Sequence, residues 1–234
     1  MTVPLLAGRP ALRVAAAARV GPLAEGAELP TVPGFVASAF NPLVRETVRR
    51  CLGEPGERNP LVGPYADTTA VVLATVAGDA TTSDLASQKL VSGRVHNPLL
   101  FLQSVTTSIL GHLTIEYGLT GPVSCLAAVD GIADEALDAA ELLLIDDDID
   151  QVLVIAAELA ANPRTAAAFA HLTATGGTAL PPRGDLAVAL LLRAADAAGE
   201  PAPDEPGEQQ ADFGHLAALA GRTDRARNAL GATR

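Results

Sequence analysis

The fold of this chain is decided by residues 97–158, which read NPLLFLQSVTTSILGHLTIEYGLTGPVSCLAAVDGIADEALDAAELLLIDDDIDQVLVIAAE. Across residues 101–118 the only formal charge is Glu116, so a helix here is apolar or small on nearly every face. Such a helix must be buried all round, either in a layered core or under a partner. The segment at 123–128 is likewise uncharged and is predicted to be a strand.

The second part of the same stretch predicts a helix followed by a strand. Apolar residues recur at helical spacing over residues 131–145, with acidic residues opposite them, which is typical of an amphipathic helix. The apolar face carries Ala133, Leu137, Ala140 and Leu144, and the opposite face carries Asp134, Asp138 and Glu141. The acidic run DDDID at 146–150 ends the helix, and the apolar run QVLVIAA at 151–157 predicts a buried strand.

The rest of the chain continues this alternation of strands and helices. The further predicted elements are a strand at 11–18, a helix within 36–52 that begins near Asn41-Pro42 with Asn41 as its cap, a buried parallel strand at 69–76, a helix at 81–92 and a last strand at 185–194. The order βαβαβαββ predicts an α/β fold of three layers, α/β/α. We expect one domain over residues 1–195, an acidic, Pro-rich linker at 196–212 and a tail at 213–234 that contains a short basic helix.

Composition excludes several classes of protein. The 234 residues are 49% hydrophobic, so the chain can bury a core and is not disordered. The formal net charge of −11 argues against nucleic acid or an anionic membrane as the main partner. The sequence has no apolar run of membrane-spanning length and no order of residues typical of a signal peptide, so the cytoplasm is the expected location.

Few residues offer chemistry of their own. Cys51 and Cys125 predict no disulfide framework and no metal site, and Cys125 is expected to be a buried, small apolar side chain in its strand. His96 and His112 precede this strand, His171 is expected in a loop, and no metal-binding spacing is present. We therefore expect no metal and no cofactor.

The run GHLTIEYGLTGP at residues 111–122 resembles the β-ketoacyl synthase family, a branch of the thiolase superfamily. In that family the run leads into a buried strand that ends at a nucleophilic cysteine, where the next helix begins. A count without gaps places Asp130 at the nucleophile position. An aspartate followed by glycine before a helix is also a good N-cap, so Asp130 can be a structural substitute or, less simply, a catalytic carboxylate.

The resemblance implies the N-terminal half of a ketosynthase, without the half that carries the family's catalytic histidines and lysine. It fits a chain length factor of a type II polyketide synthase, which lacks the nucleophile, pairs with a ketosynthase as a heterodimer and shapes the tunnel for the growing chain. The short ketoacyl-synthase N-terminal-like proteins of polyene systems are similar. Contact with the acidic acyl carrier protein would then be indirect, through the ketosynthase, because this chain is acidic itself.

The resemblance also implies two surfaces. The family's strand before the nucleophile pairs with its mate across the dimer axis, which implies an interface of Leu99, Phe101, Val123, Ser124, Cys125, Leu126, Ala127 and Ala128. Family positions that line the tunnel fall on Val76, Asp79, Ser83 and Leu100. Without the second half an apolar face remains, and we expect the partner and the tail to cover it.

Two other functions remain open. One is a thiolase-like acyltransferase or thioesterase that uses Asp130 or Cys125. The other is a homodimeric scaffold or acyl-binding module without a ketosynthase. Turnover of acyl thioesters by the isolated chain would favour the first, and a stable homodimer would favour the second.

Overall fold

The computed structural model describes residues 9–56, 58–93, 98–195 and 208–231. Within these ranges the chain forms β1 Leu12–Val20, α1 Phe40–Leu52, β2 Thr69–Thr75, α2 Ala80–Val91, α3 Pro98–Ser104, α4 Ser108–Tyr117, β3 Val123–Ala127, α5 Ile132–Leu143, β4 Gln151–Glu158, α6 Pro163–Ala174, β5 Leu186–Ala194 and α7 Ala217–Gly231. Short 3-10 segments lie at Gly63–Tyr65 and Glu208–Leu216. The predicted strands and the helices α2 and α5 are confirmed to within about two residues.

The five strands form one mixed sheet in the order β1-β5-β4-β2-β3. Strand β2 lies between β3 and β4 and is parallel to both, whereas β5 is antiparallel to its neighbours β4 and β1. Every residue of β2 and of β4 is buried, as the continuous apolar runs predicted. Strands β1 and β3 are the two edges of the sheet.

Helices cover both faces of the sheet, which confirms the predicted three-layer α/β/α architecture. Helices α1 and α4 pack on one face together with the alternate strand residues that point to that side. Helices α5 and α7 pack on the opposite face. The apolar face of α5 is buried as its pattern predicted, while Asp134 and Asp138 remain exposed.

Three predictions about helices were wrong. Residues 101–118 form two helices, α3 and α4, and not one; apolar side chains on both are exposed in this chain, so the predicted burial under a partner stays a prediction. A helix, α6, stands between β4 and β5, capped by Asn162, whose side chain accepts a hydrogen bond from the Thr165 N–H; His171 lies in this helix and not in a loop. The prediction missed α6 because its many alanines give a weak apolar period.

Asn41 does not cap α1, contrary to the sequence prediction. The helix begins one residue earlier, and the Asn41 side chain is fully buried, where its Nδ2 donates to the Gln103 carbonyl at 3.1 Å. The Ser38 hydroxyl accepts the Asn41 N–H at 3.0 Å instead. The Asn41-Pro42 pair correctly indicated where a helix begins to within two residues. The side chain of Asn41 does not cap that helix, because it hydrogen-bonds to Gln103 instead.

The tail returns to the domain. Helix α7 packs on β1 and β5, and Leu216, Leu219 and Ala220 are buried in the same cluster as α5. Residues 196–207 of the predicted linker lie outside the described residues. In the described part of the chain, no helix combines the length and the apolar character needed to cross a membrane.

Candidate functional site

The parallel strands β2, β3 and β4 all end on the same side of the sheet, and α/β folds usually place their sites beyond such carboxyl ends of strands. Three of the described carboxylates there end one of these strands or lie in the segment that follows it. Glu158 is the last residue of β4, Asp79 caps α2 beyond β2, and Asp130 lies between β3 and α5. Each is held by hydrogen bonds from a different part of the chain.

Asp130 is not the N-cap of α5, contrary to the structural role that the sequence suggested. The cap position is taken by Gly131, in the left-handed conformation at φ 66°, and no side chain caps this helix. The Asp130 Oδ1 instead accepts hydrogen bonds from the Thr178 N–H at 2.7 Å and from the Thr178 hydroxyl at 3.1 Å. These bonds stabilise the charged form and lower the pKa of Asp130 below its usual range.

This geometry bears on chemistry at the nucleophile position. An ionised carboxylate that already accepts two hydrogen bonds is a weak nucleophile toward a thioester, since its electron density is shared with its donors. Cys125, which is half-buried and not buried as predicted, is no better placed, because partial burial raises the pKa of its thiol and so reduces the thiolate fraction. Neither residue combines an adjacent base with an activated nucleophile in the described part of the chain.

Glu158 is almost completely buried and is nonetheless well satisfied. Its Oε1 accepts the Thr75 hydroxyl at 2.8 Å and also the Val76 N–H, and its Oε2 accepts the Ala77 N–H at 3.2 Å. The carboxylate therefore fixes the turn that follows β2. The sequence analysis missed this role, since Glu158 appeared only as the end of an apolar run.

The four predicted tunnel residues lie around the same end of β2. Val76 directly follows the strand and is half-buried, Ser83 is half-buried in the first turn of α2, and Leu100 is buried in α3, which packs against α2. Asp79 is buried and accepts the Thr82 N–H at 3.0 Å. The structure thus brings these four together, while their function as tunnel lining stays a prediction.

A polar network that the sequence did not reveal connects this group to α1. The Ser38 hydroxyl donates to the Asp79 Oδ2 at 2.5 Å, and the Gln103 Oε1 accepts the Ala37 N–H at 2.7 Å. Together with the bond from Asn41 to Gln103, these contacts join the starts of α1 and α2 to the end of α3. They fix the position of α3 relative to the sheet.

The predicted interface residues occupy an open edge of the sheet. Among the described residues, strand β3 pairs only with β2, and its uncharged residues Val123 to Ala127 are exposed or half-buried. On α3 the side chain of Phe101 is 74% exposed, and Leu99 is also exposed. Ala128 follows the strand and is half-buried. Their function as an interface stays a prediction.

Further exposed apolar side chains extend this surface along the chain. Leu102 lies on α3 beside Phe101, and Leu90 and Val91 end the neighbouring helix α2. The sequence analysis did not single these residues out, although their apolar character near two interface candidates was a readable signal. We call the surface of β3, α3 and the end of α2 the apolar edge.

The remaining histidines and cysteines of the sequence analysis pack against other residues and form no reactive group in the described part of the chain. His112 is half-buried and meets the Phe35 ring edge-on, with 5.9 Å between ring centres. Burial raises the pKa of Cys51 to about 12. His96 lies outside the described residues. Among the residues that the structure describes, no three His, Cys, Asp or Glu side chains come together as they would in a metal site.

Comparison with known proteins identifies the family. The family model of the β-ketoacyl synthase N-terminal domain matches residues 47–178, which is more than half of the chain. The protein belongs to the β-ketoacyl synthase family. No curated protein matches its sequence.

Solved structures support the fold. A chain of the complex between a ketosynthase and its chain length factor from Xenorhabdus doucetiae matches with a TM-score of 0.56 at 18% identity, over 80% of this chain and 80% of that chain. The ishigamide ketosynthase/chain length factor matches with a TM-score of 0.57 at 18% identity, over 82% and 64%. A type II acyl carrier protein complex with its ketosynthase matches with a TM-score of 0.59 at 14% identity, over 80% and 63%. This chain therefore spans less than two thirds of the length of the last two.

Proposed function

We propose that this protein is a non-catalytic subunit of a type II polyketide synthase, a chain length factor that pairs with a ketosynthase and shapes the tunnel for the growing chain. The apolar edge carries this proposal. A protein rarely leaves both an uncharged edge strand and a cluster of exposed apolar side chains on two helices unless another chain covers them. The solved structures that it resembles contain ketosynthases, and two of them also contain a chain length factor.

Asp130 supports a non-catalytic role for this chain. It stands where the family resemblance places the nucleophile, and its carboxylate is held by Thr178. A subunit that only completes the tunnel does not need a nucleophile, whereas an independent acyltransferase does. Assignment to a polyene-type system rests on the family resemblance alone, and the acyl carrier protein is expected to bind through the ketosynthase.

The chain and the ketosynthase encoded beside it would be expressed separately and together, and the products sized by light scattering after gel filtration. We expect a 1:1 heterodimer, together with poor solubility of the chain alone. Phe101→Glu and Val123→Glu should each abolish the heterodimer, because a carboxylate would be buried without a partner. Leu142→Glu is the matched control, since Leu142 is 52% exposed on α5, a helix that is not part of the apolar edge.

A monodisperse chain that ignores the ketosynthase would overturn the proposal, as would a heterodimer that survives both substitutions. Loss of pairing in Leu142→Glu as well would mean that the substitutions act through folding, so all three variants are first compared with the parent by circular dichroism and thermal unfolding.

A homodimeric scaffold is the second candidate, because an open edge strand can also pair with its own copy. Cys125 is the central residue of β3, and in a two-fold pairing of this short strand it would lie near the Cys125 of the second copy. A short bis-maleimide should then link two chains through Cys125, with Cys125→Ser as the control. Buried Cys51 provides no competing site. A cross-linked homodimer that excludes the ketosynthase would favour the scaffold.

A further inference from the structure

Two arginines lie side by side at the end of the sheet that is away from the candidate site. Arg13 of β1 and Arg193 of β5 are directly opposite in the antiparallel pair, so their side chains lie on the same face of the sheet. Leu191 and Ala189 alternate with Arg193 along β5 and belong to the core cluster of α1 and α4, which identifies the face. Like charges at directly opposite positions destabilise a sheet, so this pair needs a reason.

The Arg193 guanidinium is held in one orientation by neutral groups. Its Nε and Nη2 donate to the Oε1 of Gln151, the first residue of β4, at 3.0 and 2.8 Å, and its Cζ lies 4.2 Å from the centre of the Tyr65 ring. Gln151 is itself fully buried, and its Nε2 donates to the Leu61 carbonyl at 2.9 Å and to the Thr69 hydroxyl at 2.8 Å. Arg193 is therefore fixed in place while its charge is not neutralised.

Across the residues that the structure describes, no carboxylate forms an ion pair with either Arg13 or Arg193. Other arginines there do have such a partner, namely Arg9, Arg19, Arg45, Arg49, Arg50, Arg164 and Arg183. Asp150 directly precedes Gln151, but its Oδ2 accepts the Thr68 hydroxyl at 2.7 Å. Two cations thus stay uncompensated in a chain whose net charge is −11.

Arg193 also retains unused hydrogen-bond donors. Its Nε and one hydrogen of Nη2 are directed at Gln151, and its Nη1 lies 3.5 Å from the Tyr65 hydroxyl. The second hydrogen on each Nη has no partner in the described part of the chain. Arg193 is half-buried and Arg13 is exposed beside it, so a ligand that approaches from solvent can reach both guanidinium groups.

We propose that Arg13 and Arg193 form a binding site for a phosphate group, either as the free ion or as part of a small phosphorylated ligand. The planar guanidinium donates parallel, charge-assisted hydrogen bonds that match the spacing of phosphate oxygens. A phosphate monoester carries close to two negative charges at neutral pH, which balances two cations that otherwise repel each other. Gln151 and Tyr65 are positioning residues, because they orient Arg193.

The acidic run at 146–150 lies near this site in the sequence and opposes an anion. Its aspartates are exposed, with the exception of buried Ile149 between them, so salt screens their repulsion at physiological ionic strength. Direct hydrogen bonds from a half-buried guanidinium are screened much less. The balance therefore favours a ligand that contacts Arg193 directly over one that is only attracted from a distance.

This site is separate from the surfaces of the proposed function. Strand β1 is the edge of the sheet opposite to β3, and Arg193 lies beside the first residue of β4, whereas the candidate site lies beyond its last residue. Failure to bind phosphate would leave the pairing with a ketosynthase untouched, and failure to pair would leave the phosphate site untouched.

Isothermal titration calorimetry and thermal unfolding, in a phosphate-free buffer of constant ionic strength, test the site with inorganic phosphate, phenyl phosphate and acetate. We expect both phosphates to bind and to raise Tm, since a ligand of the folded state stabilises it. Acetate, with a single charge, should bind at least about tenfold more weakly. Tighter binding of phenyl phosphate than of inorganic phosphate would indicate a phosphorylated organic ligand, and equal binding would indicate the free ion; both support the site.

Arg13→Gln separates binding from folding. Without phosphate the variant should be at least as stable as the parent, because the repulsion between the arginines is removed. It should nevertheless bind inorganic phosphate at least about tenfold more weakly and lose most of the phosphate-dependent rise in Tm. Arg193→Lys keeps the charge but not the planar fork, so it should weaken binding as well. Arg183→Gln removes an exposed, ion-paired arginine at the other end of β5 and is the matched control.

Three results would overturn the site. The first is a parent chain that shows no saturable binding of inorganic phosphate. The second is unchanged affinity in Arg13→Gln, which also decides the matter if Arg193→Lys fails to fold. The third is acetate that binds as tightly as phosphate. The same comparison holds for the chain alone and for its complex, because every variant is measured with the same partner.

Discussion

Asp130 and Thr178 form the contact that distinguishes this candidate site at the scale of single residues. The two lie 48 positions apart, so nothing local in the sequence announces that they meet. The gapless count places Asp130 at the family's nucleophile position, which stays a prediction, whereas the capping rule predicted the wrong hydrogen-bond partner for its side chain. A helix N-terminus was available, yet the left-handed Gly131 turned the side chain toward the loop before β5. Such choices between two hydrogen-bond partners depend on tertiary structure.

The depressed pKa of Asp130 gives a stability effect with a defined sign. Because hydrogen bonds from Thr178 lower this pKa below its usual 3.8, the ionised form stabilises the folded state at neutral pH and loses this contribution as the pH falls through the folded value. Asp130→Asn should therefore lower Tm at pH 7, with a difference from the parent that shrinks as the pH falls below 3.8. Thermal unfolding at pH 7 and at successively lower pH values checks this, with exposed Asp147→Asn as the control for charge. A variant as stable as the parent at pH 7 would contradict it.

A helix or strand could be predicted where the apolar residues that define its pattern are also the residues that it buries. Strands β2 and β4 follow from continuous apolar runs, and α5 follows from its period, because each buries the same side chains that define the pattern. The region 101–118 failed for the opposite reason. Its residues are apolar on every side, so the sequence contains no information about which face is covered or where the helix breaks.

Helix α7 shows that a predicted short basic helix can have a core function. Leu219 is 1% exposed and packs in the cluster that also holds α5. Leu219→Ala should cost about 2–4 kcal/mol of the free energy of unfolding, through lost burial and the cavity that remains. Urea unfolding at neutral pH measures this. Exposed Leu142→Ala should change stability by less than about 0.5 kcal/mol, and an equal loss in both would contradict the assigned packing.

At the scale of the whole molecule, the apolar edge and the predicted tunnel residues adjoin each other. Helix α3 contributes exposed Phe101 to the edge and buried Leu100 to the tunnel group, and the network from Ser38 to Asp79 holds the two helices of this group in place. A partner that covers β3 and α3 would therefore also close the space beside α2. The same surface would then serve both to bind the proposed ketosynthase and to set the length of the growing product chain.

The product length of the complex tests this arrangement. Ser83 is half-buried in the first turn of α2, and Ser87 is exposed one turn later on the same helix. If Ser83 faces the tunnel, Ser83→Phe should shift the products of the intact heterodimer toward shorter chains, because the larger side chain fills the far end of the space. Ser87→Phe should leave the distribution unchanged. Mass spectrometry of the released products compares both with the parent complex.

Leu100→Phe provides a second measurement at the same site. Overpacking at this buried position should cost about 1–3 kcal/mol, so the variant is used only if it still forms the heterodimer. Shorter products from both variants would place α2 and α3 at the tunnel wall. Products of unchanged length from two intact complexes would mean that the space beside α2 is ordinary core, and that the tunnel is shaped by the ketosynthase alone.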